Sequence, residues 1–207
     1  MGMEKTYPST FYAEMTPNPA VMKFVCNTLL LEPGVSAEYK DPSETSGSAL
    51  AAALFQLPFV RAVFISGNFV SITKNNSVTW EEINPQLREF LRVFMLKGIP
   101  AVVSIPTQNV FVDSAFLETK TIPTQPNAPQ NEIEQKIVEI LDQYIRPAVE
   151  SDGGLITFKS LEAGKVTVQM RGACSGCPSS TLTLKAGIEA LLTRMIPEVK
   201  EVVAENI

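Results

Sequence analysis

The segment KVTVQMRGACSGCPSSTLTLKAGIEALLTRM, residues 165–195, decides the fold of the second half of the chain. It opens with apolar residues at every second position, Val166, Val168 and Met170, which predict a half-buried strand. It closes with apolar residues spaced by three and four, which predict a helix over 180–195. Between these elements lies a short turn that contains two cysteines.

The flanking residues extend this pattern into a small α+β domain over 132–207. Apolar residues recur at helical spacing before the strand, and Asp152-Gly153-Gly154 and Ala163-Gly164 are turn sequences. The remaining predicted elements are a helix over 133–144 that ends before Pro147, a strand over 155–160 and a last strand over 199–203.

The first half of the chain predicts a second α+β domain over 1–119, and a linker at 120–131 separates the two. The linker contains three prolines and almost no charge, which opposes both a helix and a central strand. The first domain is predicted to contain strands over 22–31, 60–66 and 69–74, helices over 47–56 and 80–96, and extended pieces over 101–104 and 110–112. The expected architecture is therefore two small domains, each a small sheet packed with two helices.

Composition excludes several classes of protein. The 207 residues carry a net charge of −5, so the basic surface typical of a nucleic-acid-binding protein is not expected. No apolar run approaches the roughly 18 residues that a membrane-spanning helix needs, and no leader sequence is visible, so we expect a cytoplasmic protein. The absence of histidine excludes histidine-based nucleophile pairs and histidine-ligated metal sites.

The turn places Cys174 and Cys177 two residues apart, a spacing that lets both sulfurs reach one metal. Ser175 and Gly176 are small enough for a tight turn, and Pro178 suits the first position of a helix. Because the positive end of a helix favours thiolate over thiol, the pair is suited to bind metal or to attack a disulfide.

Four interpretations of this pair remain open. A thioredoxin-type redox pair is typically preceded by an aromatic residue, whereas Ala173 precedes Cys174 here. Structural zinc needs four ligands, and a second cysteine pair is absent. The cysteines could also be incidental buried residues. In the fourth interpretation, two chains supply two thiolates each to one iron–sulfur cluster. Because such a cluster usually takes four thiolates and one chain offers two, the number of cysteines in the turn predicts a cluster-bridged homodimer.

At this point the sequence resembles a known family. Residues 170–192, with Ile145-Arg146-Pro147-Ala148-Val149 and Asp152-Gly153-Gly154, resemble the C-terminal domain of NifU, the Nfu-type module. The first half resembles the Nfu N-terminal domain through the segments Thr16-Pro17-Asn18-Pro19, Met22-Lys23-Phe24, Leu57-Pro58-Phe59-Val60 and 69–74. Leu155 departs from the family, in which an acidic residue often follows Asp-Gly-Gly.

The resemblance implies an iron–sulfur cluster scaffold or carrier rather than an enzyme. The cluster ligands map onto Cys174 and Cys177, and the cluster is expected to be 4Fe-4S, with 2Fe-2S as the alternative. Implied partners are an upstream cluster donor and apo iron–sulfur client proteins, and the Nfu N-terminal-like core is expected at about 10–98 with an extension to 119. A thiol–disulfide oxidoreductase that uses the same cysteines is the alternative function.

Several other residues have simpler roles in this interpretation. Cys26 is expected to be a small buried hydrophobic residue, and Asp152 to shape the turn. Arg171 and Lys185 flank the cysteines and are expected to be either ordinary solvated cations or charges that favour thiolate. Because the first domain carries no visible catalytic constellation, it is expected to recognise client or donor proteins.

Overall fold

The computed structural model describes residues 9–32, 35–104, 111–112, 131–175 and 178–206, with only the backbone described at 111–112, 178–182 and 206. The chain forms two compact units, one mainly before Val112 and one mainly after Phe111. Each unit combines a sheet with helices, which confirms the predicted α+β class. The predicted linker lies outside the described residues except for Asn131, so it and the domain limits stay predictions.

The first unit is built on a six-stranded sheet with the strand order β1-β2-β5-β4-β3-β6. Its described pairs are antiparallel, and β4 and β5 form a hairpin that turns at Gly67, whose φ of 49° lies in the left-handed region. The elements are β1 (Phe11–Met15), β2 (Val21–Cys26), β3 (Val35–Tyr39), a 3₁₀ turn (Pro42–Gly47), α1 (Ala49–Leu54), β4 (Val60–Ser66), β5 (Phe69–Lys74), α2 (Trp80–Leu96) and β6 (Phe111–Val112).

Both helices of the first unit pack on one face of this sheet. Alternating strand residues such as Phe24 and Ile72 form a single core with helix residues such as Leu54, Leu87 and Leu91. The alternation arises because successive side chains of a strand point to opposite faces. The apolar stripe that predicted α2 is thus the face that closes this core.

Ser48 caps α1 and connects this helix to the segment that contains Ala101. Its hydroxyl accepts the N–H of Ala51 at 3.0 Å and donates to the carbonyl of Ala101 at 2.8 Å. Since both contacts are buried, we expect Ser48→Ala to lower the free energy of unfolding by about 1–2 kcal/mol. Denaturant unfolding measures this loss, and Ser43→Ala, at an exposed site, serves as the control. Equal midpoints for the two variants would contradict the role of Ser48.

The sequence missed two strands of the first unit, β1 and β3. Each is only five residues long, and the positions that face the core include the small residues Ala13 and Ala37, so the strand signal in the sequence is weak. The strand predicted over 22–31 is also shorter than expected, because the chain leaves the sheet after Cys26. Sheet pairing, rather than local hydrophobicity, fixes these elements.

The second unit is a three-stranded sheet with the order β7-β8-β9, covered by helices. β7 and β8 are antiparallel, whereas β8 and β9 are parallel, and α5 provides the crossover between them. Its elements are α3 (Glu132–Ile140), a π-helical turn (Leu141–Ile145), α4 (Arg146–Ser151), β7 (Gly154–Glu162), β8 (Lys165–Gly172), α5 (Pro178–Met195) and β9 (Glu201–Asn206). Its hydrophobic core contains residues of both the sheet and the helices, such as Ile137, Ile156, Val168 and Ile188.

The expected helix end at Pro147 is wrong. The chain continues through the π-helical turn into α4, which ends only at Ser151. Pro147 lies in the first turn of α4, where its missing N–H is tolerated. Arg146 and Asp142 bridge the wide turn through an ion pair of 2.6 Å between Nη2 and Oδ1. A π-helical turn of this kind is a known way to accommodate an interruption in a helix.

None of the helices in the described part of the chain combines the length and apolar character that crossing a membrane requires.

Candidate metal centre

Cys174 lies in the turn that joins the end of β8 to the start of α5. Gly172 turns the chain with a φ of 64°, a left-handed conformation that favours glycine. Two hydrogen bonds then close the turn, because the N–H and hydroxyl of Ser175 donate to the carbonyl of Gly172 at 3.1 and 2.9 Å. α5 begins at Pro178, in agreement with the expectation that this proline opens the helix.

The thiol of Cys174 is largely withdrawn from solvent. Its exposed fraction is 6%, and the residue belongs to the hydrophobic core of the second unit. The turn folds back against β7, so that the Cys174 side chain lies against Gly154 at the start of that strand.

A pocket opens beside this thiol. Within the second unit its lining includes Cys174 itself, the apolar residues Ile145 and Leu184, and the polar residues Asp152 and Thr183. Asp152 thus lines the same pocket as Cys174, although the sequence assigned it only to the turn. Ile145 belongs to the π-helical turn, which sequence reasoning did not predict and which brings this residue to the site.

The second predicted ligand, Cys177, lies outside the described residues. The expectation that both sulfurs face one cluster therefore stays a prediction. Among the side chains that the structure describes, no three potential ligands from cysteine, aspartate or glutamate converge on one point.

The two flanking cations differ in their surroundings. Arg171 is on β8 and only 4% exposed, whereas Lys185 on α5 is half-buried. The interpretation of Arg171 as an ordinary solvated cation is therefore wrong, since a buried guanidinium is a fixed positive charge in the strand that leads into the turn.

Cys26 is separate from this site and belongs to the first unit. It is 1% exposed on β2, within the core that the sheet and helices enclose, and its sulfur lies 3.3 Å from the hydroxyl oxygen of Thr28. This confirms the prediction of a small buried residue.

Gly154 is the residue of this site that sequence reasoning missed. It opens β7, pairs with Gly172 of β8, and its α-carbon lies directly against the Cys174 side chain. In the sequence, the only feature that marks Gly154 is the pair of glycines in Asp152-Gly153-Gly154, and we assigned that pair to the turn.

Comparison with known proteins gives matches over both units. Residues 11–98 match the family model described as scaffold protein Nfu/NifU N terminal, and residues 137–203 match the NifU-like domain. The solution structure of a NifU-like protein from Saccharomyces cerevisiae is 23% identical with a TM-score of 0.41, covering 50% of this chain and 92% of that one.

Two curated relatives match most of the chain. One, from Drosophila ananassae, is named NFU1 iron-sulfur cluster scaffold homolog, mitochondrial, and is 36% identical over 90% of this chain and 61% of its own length. The other, NifU-like protein 4, mitochondrial, from Arabidopsis thaliana, is 36% identical over 93% of this chain and 64% of its own length. The chain thus spans less than two thirds of the length of these relatives.

These relatives also correct one prediction. A cytoplasmic location was expected from the sequence, but both relatives are named as mitochondrial proteins, so that prediction is wrong. The expectation of a two-domain Nfu-type chain is confirmed by the two family matches, which lie on either side of the predicted linker. The chain belongs to the Nfu family, with a match to the Nfu/NifU N-terminal domain followed by a match to the NifU-like domain.

Proposed function

We propose that this protein is an iron–sulfur cluster scaffold that carries a cluster on the thiolates of Cys174 and Cys177 and passes it to apo-proteins. The observation that carries the proposal is the Cys174 thiol, fixed in the turn between β8 and α5 and bordering a pocket. The family relationship supports it, since a relative is named as an iron–sulfur cluster scaffold homolog.

The cluster is the cargo of this protein rather than a resident catalytic group. Each chain supplies two thiolates, and a cluster usually takes four, so two copies of the chain share one cluster. We propose a 4Fe-4S cluster, with 2Fe-2S as the alternative. The chemistry of the donors fits, because thiolate sulfur is the ligand that such clusters prefer.

Transfer is proposed to proceed by ligand exchange. Each iron–sulfur bond to a carrier thiolate breaks as an iron–sulfur bond to an acceptor thiolate forms, so the number of bonds is conserved. The protons released by the acceptor thiols pass, through solvent, to the carrier thiolates that leave. No electron is transferred, and the iron and sulfide of the cluster move together.

The proposed setting is the mitochondrion, by analogy with the named relatives. There the protein receives a cluster from an upstream donor and delivers it to apo iron–sulfur clients. We propose that the first unit recognises these proteins, whereas the second holds the cluster. Fractionation of cells that express the tagged natural protein tests the location, and recovery outside mitochondria would contradict it.

Transfer itself is tested with an apo-enzyme that requires a 4Fe-4S cluster for activity. The loaded protein is expected to activate this acceptor faster than the same amount of free iron and sulfide, and in the presence of an iron chelator. Activation that is no faster than with free iron, or that the chelator blocks, would contradict a carrier role.

The competing hypothesis, a thiol–disulfide oxidoreductase, uses the same two cysteines without metal. It predicts that the metal-free protein catalyses disulfide reduction and that loading with a cluster inhibits it. A disulfide reduction assay on the apo-protein, with the Cys174→Ala variant as its blank, separates this activity from cluster transfer. Turnover above the blank would favour the oxidoreductase.

A further inference from the structure

The start of β7 is shaped around the Cys174 side chain. A β-carbon built on Gly154 would lie 2.8 Å from Sγ and 3.2 Å from Cβ of Cys174. It would also lie 2.7 Å from the carbonyl oxygen of Arg171. Contacts below 3.0 Å essentially do not occur for real β-carbons, so the space that any other residue would need at this position is already taken by the cysteine and by the Arg171 carbonyl.

The backbone around this contact holds the two elements in register. Gly154 pairs with Gly172 across the β7–β8 ladder, and the carbonyl of Gly153 accepts the N–H of Ala173 at 3.2 Å. Gly153 has a φ of 78°, which lets the chain enter β7 directly from the turn. The residue that precedes the cysteine is thus fixed to the residue that precedes Gly154, and neither side can easily move away from an added methyl group.

We propose that Gly154 is a positioning residue for the cluster ligand. The absence of a side chain at Gly154 leaves a space, here called the seat, that accommodates the Cys174 thiol and sets the direction in which that thiol is presented. This inference rests on the proposed function only where it refers to the cluster. In the metal-free protein the seat explains why a thiol next to a pocket is nevertheless almost completely withdrawn from solvent.

The test is the Gly154→Ala variant of the full chain. In the metal-free protein, alkylation of Cys174 by iodoacetamide, followed residue by residue with mass spectrometry, is expected to be about tenfold faster, which corresponds to about 1.4 kcal/mol of lost protection. After reconstitution with iron and sulfide, the variant is expected to hold less cluster per folded chain and to lose it faster to a chelator. Alkylation at the wild-type rate in a folded variant would overturn the proposal.

Gly164→Ala is the matched control. A β-carbon at Gly164 would lie 2.7 Å from the carbonyl oxygen of Glu198, and the φ of 85° at Gly164 adds backbone strain, so this substitution disturbs the opposite end of the same hairpin at least as strongly. This variant is expected to lose thermal stability while it retains the wild-type alkylation rate at Cys174 and the wild-type cluster content. If Gly164→Ala accelerates alkylation as much as Gly154→Ala does, general loosening of the hairpin explains the effect and the proposal fails.

A thermal measurement covers the case in which Gly154→Ala folds poorly. The same substitution is made in a Cys174→Ala background, where the sulfur that a new β-carbon would meet is gone. The loss of melting temperature is expected to be smaller there than in the wild-type background. An equal loss of melting temperature in the two backgrounds would mean that the added methyl group clashes only with the Arg171 carbonyl. That result would overturn the role of Gly154 in positioning the thiol.

The outcomes also separate this inference from the proposed function. If neither the wild type nor any variant takes up a cluster, but Gly154→Ala still exposes Cys174, the seat is established and the cluster function fails. If the wild type binds a cluster and Gly154→Ala binds it equally well with an unchanged alkylation rate, the function stands and the seat fails.

Discussion

Replacing Cys174 with alanine is expected to abolish cluster loading. Removal of one thiolate from each chain leaves a shared cluster with two of its four protein ligands, which is too few to retain it. Iron and acid-labile sulfide, measured after anaerobic reconstitution and desalting, should fall from the wild-type content to the background of the blank. The same loss is expected for Cys177→Ala.

The Cys174→Ala protein should nevertheless remain folded. Because the sulfur packs in the core of the second unit, its removal is expected to cost about 1 kcal/mol, a typical value for a single substitution. Circular dichroism and denaturant unfolding of the metal-free variant measure this cost. A variant that is unfolded, or one that still carries a full complement of iron, would contradict the assignment of Cys174 as a ligand without an essential structural role.

Cys26→Ala provides the matched control for this result. Cys26 is also a buried cysteine, with its sulfur 3.3 Å from the hydroxyl oxygen of Thr28, but it lies in the core of the first unit. We expect this variant to load as much cluster as the wild type. Loss of iron in Cys26→Ala would show that cysteine removal affects loading through folding rather than through ligation.

The second large effect is expected for Phe24→Ala. Phe24 on β2 is completely buried and makes an edge contact with Trp80, with ring centroids 6.5 Å apart. Deleting its ring leaves a cavity that the neighbouring strands cannot fill, so the free energy of unfolding of the first unit should fall by about 3–5 kcal/mol. Denaturant unfolding, followed by the fluorescence of Trp80, reports this unit directly because the chain has a single tryptophan.

The consequences of Phe24→Ala for function should differ between the two units. Cluster loading is expected to be unchanged, because the proposed ligands belong to the second unit. Transfer to some clients should slow, because the proposed recognition domain is destabilised. The control is Tyr12→Ala, an exposed site on β1 where a loss below about 0.5 kcal/mol is expected. Loading that falls in parallel with unfolding of the first unit would contradict this division of roles.

The parts of the fold that the sequence predicted well are those in which local signals agree. For α2, an apolar stripe coincides with a capping box, in which the N–H of Thr79 donates to the Glu82 carboxylate at 2.8 Å, and the observed helix has the predicted limits. The β4–β5 hairpin was predicted for a similar reason, since alternating residues flank a Gly-Asn turn.

The missed elements depend on contacts between distant parts of the chain. β1 and β3 are strands that pair with β2 and β4, and each has only five residues, too few for a clear pattern in the sequence. The continuation of the helix past Pro147 depends on a π-helical turn that packs within the second unit, which no local propensity predicts.

The candidate site likewise combines features that local sequence signals predict with features that depend on contacts between distant residues. The cysteine spacing and the helix-opening proline identified the turn that contains Cys174 from sequence alone. The burial of Cys174 and its close approach to Gly154 could not be predicted, because they arise where β7 meets the end of β8, between residues that are 20 positions apart in the chain. A glycine that serves a turn and a glycine that makes room for a neighbour look identical in a sequence.

Native mass spectrometry of the wild-type protein after anaerobic reconstitution tests the central claim most directly. A cluster shared by two chains predicts one species whose mass equals two chains plus one 4Fe-4S core, and its conversion to monomers when the cluster is removed. A cluster-loaded monomer, or a metal-free dimer with no bound iron and sulfide, would contradict the claim that paired thiolates of two chains hold the cluster.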